Sequence, residues 1–283
     1  MRQTILITGC SGQLGSRLSK NLSSHFNIIS TYREHKNIDF KLDLTKKEDF
    51  DHIFSLYNPD IIINCSAVTD VDYCETNRNE CREVNVLGLK KIINACGKKV
   101  KIIHISSDYV FDGLHNSYSE DSLTHPVNYY GKSKLEAENI LIGSNRDYLI
   151  FRVSMLFDGL GSNFFTWVLH SLENDKQINV ATDMISNPTW IDFFVEIIAK
   201  SIYLDLSGVF HYGSDMPISR FEFAKCIANK YRYPEELIIP VKSEDLDFAA
   251  KRPCNTSLDS RKISDYIDSE LHSMDYILKL INK

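Results

Sequence analysis

The run Thr4-Ile5-Leu6-Ile7 leads straight into Thr8-Gly9-Cys10-Ser11-Gly12-Gln13-Leu14-Gly15. An apolar strand, then Gly-x-x-Gly-x-x-Gly, then a helical stretch is what most constrains this chain. Glycines let the backbone turn tightly and approach a pyrophosphate, because no Cβ stands in the way. The helix that follows offers free N–H groups and its positive dipole end to the same anion. Placed at the first β-to-α turn, the loop made by Gly9, Gly12 and Gly15 predicts a dinucleotide site.

The rest of the first half alternates strand and helix. A strand over 4–8 and a helix over 14–23 precede a strand over 28–32. Thr45-Lys46-Lys47-Glu48 reads as a capping box whose helix Pro59 ends. Asp60-Ile61-Ile62-Ile63-Asn64 is apolar throughout, as a parallel strand covered on both faces requires. A helix over 84–96, a strand over 100–105, a helix over 130–141 and a strand over 148–153 follow. The second half is less regular: a strand over 178–181, an apolar helix over 190–204, a strand over 208–212, and a helix capped by Ser219-Arg220-Phe221-Glu222.

This order predicts an α/β fold, a Rossmann-type doubly wound parallel sheet with a smaller, interleaved C-terminal substrate lobe. No linker or repeat separates the two. The dinucleotide-binding domain is expected over 1–157 and 188–214, and the substrate lobe over 158–187 and 215–283. The ligand is expected between them, at the carboxyl ends of the strands.

Composition narrows the function. A chain of 283 residues, 43% hydrophobic, can bury such a core. Its net charge of −6 leaves no basic excess to neutralise a nucleic-acid backbone. No apolar run is long enough to span a membrane, and a strand at the very start predicts no signal peptide. The seven cysteines contain no Cys-x-x-Cys, and most read as small buried hydrophobes in a reducing cytoplasm. The nine histidines form no His-Glu-x-x-His, so no catalytic metal is expected.

Two clusters fall where the sheet would place chemistry. One is Ile105-Ser106-Ser107-Asp108-Tyr109-Val110-Phe111-Asp112-Gly113, past a strand end; the other is Tyr130-Gly131-Lys132-Ser133-Lys134. Tyr130 and Lys134, four apart, share a helix face. A fixed ammonium favours phenolate and so predicts a lowered tyrosine pKa. Such a phenol can protonate a carbonyl oxygen as hydride arrives, and the Ser107 hydroxyl can hold that oxygen. With 14 tyrosines, about one Tyr-x-x-x-Lys arises by chance, and Tyr32 with Lys36 is read as that accident. The order of glycine loop, Ser-Ser strand end and Tyr-x-x-x-Lys carries the signal. Gly131-Lys132-Ser133 imitates a Walker A ending, but Pro126 occupies the place of its upstream glycine.

With these residues, the chain resembles the extended short-chain dehydrogenase/reductase superfamily, and within it the dTDP-4-dehydrorhamnose reductase family. Asp43-Leu44-Thr45, Pro59 to Ala67, Val84-Asn85, Ser107 to Gly113, Tyr130 to Lys134, Arg152, Asn163-Phe164, Pro188-Thr189 and Arg252 to Asp259 all match, over nearly the whole chain. The resemblance implies a catalytic set of Ser107, Tyr130 as general acid, and Lys134, which also meets the nicotinamide ribose. It implies Gly12, Gln13 and Leu14 on the pyrophosphate, Asp43 and Leu44 at the adenine, and Ser66, Ala67 and Val68 beside the nicotinamide. Asp108, Met155, Asn163, Pro188, Thr189, Arg252 and Asn255 would belong to the nucleotide sugar, with Arg252 anchoring its diphosphate. The implied reaction is NADPH-dependent reduction of a C4 ketone on a nucleotide-linked 4-keto-6-deoxyhexose, by a cytoplasmic protein that could form a homodimer.

Three positions depart from the family. Ser107 replaces a frequent Thr, Cys65-Ser66 replaces Ala-Ala, and Met155 stands where a Trp faces the sugar. A 4,6-dehydratase would need Asp-Glu where this chain has Asp108-Tyr109, and the Asp-Tyr-Val-Phe run argues against an epimerase. For the cofactor, strand two ends in Thr31-Tyr32-Arg33 with no acid before Glu34. An acid there would bind a 2′-hydroxyl, whereas Arg33 suits a 2′-phosphate; NADPH is therefore favoured, with NADH as the alternative. The chain also resembles the regulatory β subunit of methionine adenosyltransferase, a binding module of the same fold, and intact Ser107, Tyr130 and Lys134 favour the enzyme.

Overall fold

Isoleucine, valine and leucine fill the central strands because both faces of the sheet are covered. The computed structural model describes residues 2–33 and 40–281. The first half runs β1 (Thr4–Thr8), α1 (Gln13–Leu22), β2 (Asn27–Ser30), α2 (Lys47–Leu56), β3 (Ile61–Asn64), α3 (Val71–Thr76), α4 (Arg78–Arg82), α5 (Gly88–Ala95), β4 (Lys101–Ser107), α6 (Tyr129–Ile142) and β5 (Tyr148–Phe157). The second runs α7 (Phe164–Glu173), β6 (Ile178–Ala181), β7 (Ile185–Ser186), β8 (Pro188–Trp190), α8 (Ile191–Tyr203), β9 (Gly208–Tyr212), β10 (Ile218–Ser219), α9 (Arg220–Tyr231), β11 (Ile238–Val241), α10 (Arg261–Ile267) and α11 (Met274–Leu280).

The main sheet has seven strands in the order β2-β1-β3-β4-β5-β8, with β9 also on β5, and every pairing is parallel. The period-2 alternation of strands divides its side chains. Ile5, Ile7, Ile63, Ile103 and Phe151 pack on α1 and α8 through Leu18, Phe194 and Ile198. Leu6, Ile62, Ile102 and Ile150 face the other way, onto Phe50 and Ile53 of α2, Ile92 of α5 and Leu141 of α6. A third core joins α7, α9 and α11 through Phe165, Phe223 and Ile277. Around it lie two small sheets, β7 with β10 and β6 with β11. Strand order reverses at β1, and the crevice at that switch point is where such sheets bind ligands.

Some local expectations are corrected. The Thr45 capping box does not form: Thr45 Oγ1 donates to Asp43 Oδ1 at 2.7 Å, and α2 starts at Lys47 without a side-chain cap. The helix expected over 84–96 is broken by a π turn, Glu83–Leu87, before α5. That wider turn brings Asn85 inward, where Nδ2 donates to Val68 O at 3.0 Å and Oδ1 accepts from Val68 N at 2.8 Å. The strand expected over 148–153 continues to Phe157 through a register shift, with Met155 at φ +37°. Most of the cysteines are buried as expected, namely Cys10, Cys74, Cys81 and Cys96, while Cys65 and Cys226 are half-buried and Cys254 is exposed; all seven thiols are free. Glu34 and Lys36 lie outside the described residues.

Candidate active site

A cleft of about 430 Å3 opens at the carboxyl ends of β1, β4 and β5. Its first wall is the glycine loop. Gly9 sits at φ +71°, a conformation that L side chains rarely adopt. A Cβ on Gly15 would come within 2.5 Å of Gly9 O, so α1 can approach the loop only with glycine there. The helix begins without a side-chain cap or an acid in its first turn, which leaves its N-terminal dipole to an outside anion. This cradle fits the pyrophosphate of a dinucleotide. The Gln13 side chain ties the wall to the loop after β5, donating to Asp158 Oδ1 at 3.2 Å and Leu160 O at 2.7 Å.

The floor comes from β4 and α6. Asn128 caps α6 by accepting from Gly131 N at 2.9 Å, while its amide donates to Lys251 O at 2.9 Å. Gly131 allows the helix to touch the 3-10 turn Asp108–Val110, since a Cβ would meet Tyr109 O at 2.0 Å. Tyr130 and Lys134 are thereby pressed against the end of β4. Lys134 Nζ donates to Ile105 O at 2.6 Å. Burial pulls the Lys134 ammonium down to about 8, against the support of the Glu138 carboxylate and nearby thiols. Burial pushes the Tyr130 phenol above its usual range, a hydrogen bond with Ser107 only partly offsetting this. The expected lowering by Lys134 is therefore overturned, because exclusion of water outweighs it. The result is a tyrosine that holds its proton until a base appears in the cleft.

Ser107 Oγ accepts from Tyr109 N at 3.1 Å and donates to Asp108 Oδ1 at 3.0 Å. The other Asp108 oxygen accepts from Thr256 Oγ1 at 2.5 Å, which ties the floor to the C-terminal segment. Burial raises the Asp108 carboxyl, opposed by these hydroxyls.

Of the residues singled out in the sequence, Gly9, Gly12, Gln13, Leu14, Gly15, Ala67, Ser107, Asp108, Tyr130, Lys134, Met155 and Asn163 line the cleft. Asn163 also caps α7, accepting from Thr166 N at 3.0 Å. The others serve the scaffold or lie outside the lining. Ser66 N donates to Thr8 Oγ1 at 3.2 Å, and Val68 is held by Asn85. Leu44 packs under Gly88, Asp43 accepts from Thr45, and Arg33 is exposed beyond β2. Pro188 is buried in β8, Thr189 Oγ1 donates to Tyr212 O at 3.2 Å, and Asn255 Oδ1 accepts from Ser257 N at 3.0 Å. The expected anchor Arg252 is paired with Asp72 at 2.8 Å and is absent from the lining.

Besides Lys134, the cleft is lined by Arg220, at the start of α9. Its guanidinium lies 4.8 Å over the Phe164 ring and faces the phenol of Tyr109. It forms no salt bridge among the described residues, so its charge is available to a ligand. The sequence signal was the Ser219 capping box, which does form and puts Arg220 in the first turn of α9. No group of His, Cys, Asp or Glu among the described residues is placed to hold a metal ion. No described helix is long and apolar enough to cross a membrane.

Known proteins are similar to this chain over most of its length. The dTDP-4-dehydrorhamnose reductase of Aggregatibacter actinomycetemcomitans is 32% identical over 275 residues, spanning 92% of this chain and 91% of that one. The solved structure of dTDP-4-dehydrorhamnose reductase from Bacillus anthracis str. Ames, in complex with NADP, superposes with a TM-score of 0.91 at 29% identity, covering 99% of this chain and 98% of the other. Methionine adenosyltransferase 2 subunit beta of Mus musculus is 27% identical over 273 residues, 92% of this chain and 81% of that protein. The model of the RmlD substrate binding domain matches residues 1–282, end to end through both the glycine-loop half and the Arg220 half, and this chain belongs to that family.

Proposed function

We propose that this chain reduces the C4 ketone of a nucleotide-linked 4-keto-6-deoxyhexose, dTDP-linked as in the reductases it resembles, in dTDP-rhamnose and surface polysaccharide biosynthesis. The observation that carries this reading is that Ser107, Tyr130 and Lys134 line one cleft together with the glycine cradle and Arg220. Bound NADPH supplies the hydride. Ser107 and Tyr130 hold the ketone oxygen, and the Tyr130 proton moves to that oxygen as the C=O π bond breaks. Lys134 stabilises the phenolate left behind, which regains a proton from water. Asp108, tied by Thr256, meets the sugar. Arg220 takes the diphosphate, for which a guanidinium has matching charge and geometry.

On this reading the segments 1–157 and 188–214 serve the cofactor, and 158–187 with 215–283 serve the sugar nucleotide. Seven free thiols suit a reducing cytoplasm. The test is NADPH consumption with dTDP-4-keto-6-deoxy sugars, run beside Tyr130→Phe. Turnover that falls about 10²- to 10⁴-fold in the variant, with NADPH binding retained, supports the enzyme and its acid. Tight NADPH binding without turnover on any nucleotide-linked ketosugar would instead support a binding module like the methionine adenosyltransferase subunit.

A further inference from the structure

Behind the site lies a set of buried charges that the reaction as described does not use. α6 presents Tyr130, Lys134 and Glu138 at intervals of four, so they follow one another along its buried face. Glu138 has no exposed surface. Ser106 Oγ donates to its Oε1. Arg152 of β5 donates to the same carboxylate through Nε at 3.1 and 3.2 Å and through Nη2 at 2.7 Å. Arg152 Nη1 lies 3.5 Å from His211 Nε2, and His211 Nδ1 donates to Tyr118 O at 3.1 Å. Burying two full charges costs several kcal/mol per ion in desolvation, and a well-packed apolar pair would join α6 to β5 at least as well. A clamp alone has no use for the charge.

We propose that Glu138, with Arg152 fixing its place, is a positioning residue that keeps the ammonium on Lys134 and thereby sets the pH range over which Tyr130 acts. The inference rests on the reductase reading of the site. The other surroundings of Lys134 support it less than Glu138 does. Cys65 after β3 and Cys74 of α3 face it with thiols that keep their protons, Cys65 pushed up by burial and Cys74 by its hydrogen bond with Cys81 and by burial. Cys81 of α4, lowered to about 7 chiefly by its hydrogen bond with Cys74, adds a smaller support than Glu138. His104 of β4 is buried and kept neutral by that burial. Tyr130 on the same helix holds its proton. Among the groups acting on Lys134, Glu138 is the leading one that favours its charged form, and it opposes the desolvation that brings Lys134 to about 8.

The sign follows directly. Rate is lost as pH rises through the ionisation of Lys134. Glu138→Gln removes the favourable charge and leaves the Arg152 cation behind it, so the alkaline limb of kcat/KM moves to lower pH by about one unit. Glu138→Asp keeps the charge and keeps the limb, whatever happens to the amplitude. Glu138→Gln combined with Arg152→Met removes both charges, and its limb falls between the parent and the single variant. A direct readout uses 13Cε-labelled lysine: the NMR resonance missing from Lys134→Arg titrates near pH 8 in the parent and lower in Glu138→Gln. Should the single variant not fold, the double variant, which holds no unpaired buried charge, carries the test with a midpoint still below the parent. An unchanged lysine midpoint, or an aspartate variant shifted as far as the glutamine one, overturns the proposal. The midpoint is measured without substrate, so absence of ketosugar turnover counts against the reductase alone.

Discussion

Arg252 and Arg220 show what a residue's neighbours decide. Both are arginines in the C-terminal half, and the late Arg-Pro-x-Asn run made Arg252 the natural anchor for a diphosphate. In the fold its guanidinium is spent on Asp72 and on the face of Phe248, 4.4 Å from the ring centroid. Arg220 instead stands over Phe164 at the cleft. A hydrogen bond to a charged group is worth about 1.5–3 kcal/mol, so Arg220→Ala should raise KM for the nucleotide sugar by about 10- to 100-fold at nearly constant kcat. Arg252→Ala should leave KM in place and lower the unfolding midpoint. Steady-state kinetics beside urea denaturation checks both, and equal KM effects would sink the assignment. The same scale explains Tyr130. Its spacing to Lys134 is visible in the sequence, but the direction of its pKa depends on how much water reaches the phenol, and the floor of the cleft excludes it.

Among the elements, α6 shows how a helix start is aimed at a site. Asn128 sets the first turn, and Gly131 lets that turn touch the backbone at Tyr109. A methyl at position 131 would meet a carbonyl oxygen at 2.0 Å, and backbone cannot yield as a side chain does. Gly131→Ala should therefore cost about 1–3 kcal/mol of stability and displace Tyr130, lowering turnover. Gly97→Ala is the control, since its Cβ would find only Val100 Cγ2 at 3.7 Å. Matched urea midpoints for the two variants would refute this account of the close approach. The capping box at Ser219 formed as its spacing predicts, whereas the one at Thr45 did not, because Asp43 offered Thr45 a nearer acceptor. Local propensity could not arbitrate between those two sites; the acceptor two residues upstream could.

At the scale of the molecule, a buried histidine ties the sheet to its covering. His211 of β9 lies between Arg152 and Tyr118 O, and burial and the Arg152 charge hold it down to about 3. The unfolded chain takes up that proton near pH 6.5. Stability is thus complete above about pH 6.5 and falls as pH drops from there toward about 3, by about 1.4 kcal/mol per unit for this group. Denaturant unfolding at pH 7 and pH 5.5 should show the loss, and His211→Asn should flatten it; an equally steep variant would disprove the link. The segment after Arg252 is a second whole-molecule feature. It returns to the first half through the Tyr118–Leu258 bridge and the Thr256–Asp108 hydrogen bond, and it pairs with β7 through the Ile185–Asn255 bridge. What the sequence by itself determined is the part written in short-range order: the glycine loop between strand and helix, the doubly covered apolar strands, and Tyr130 four residues before Lys134. Those signals survive because turn geometry and side-chain period act over a few residues. Which arginine lines the cleft, whether Tyr130 is raised or lowered, the turn at Met155, and the Glu138–Arg152 pair behind Lys134 were decided only by tertiary structure. Each depends on charge, water and contacts brought together from distant parts of the chain, and no local pattern carries that information.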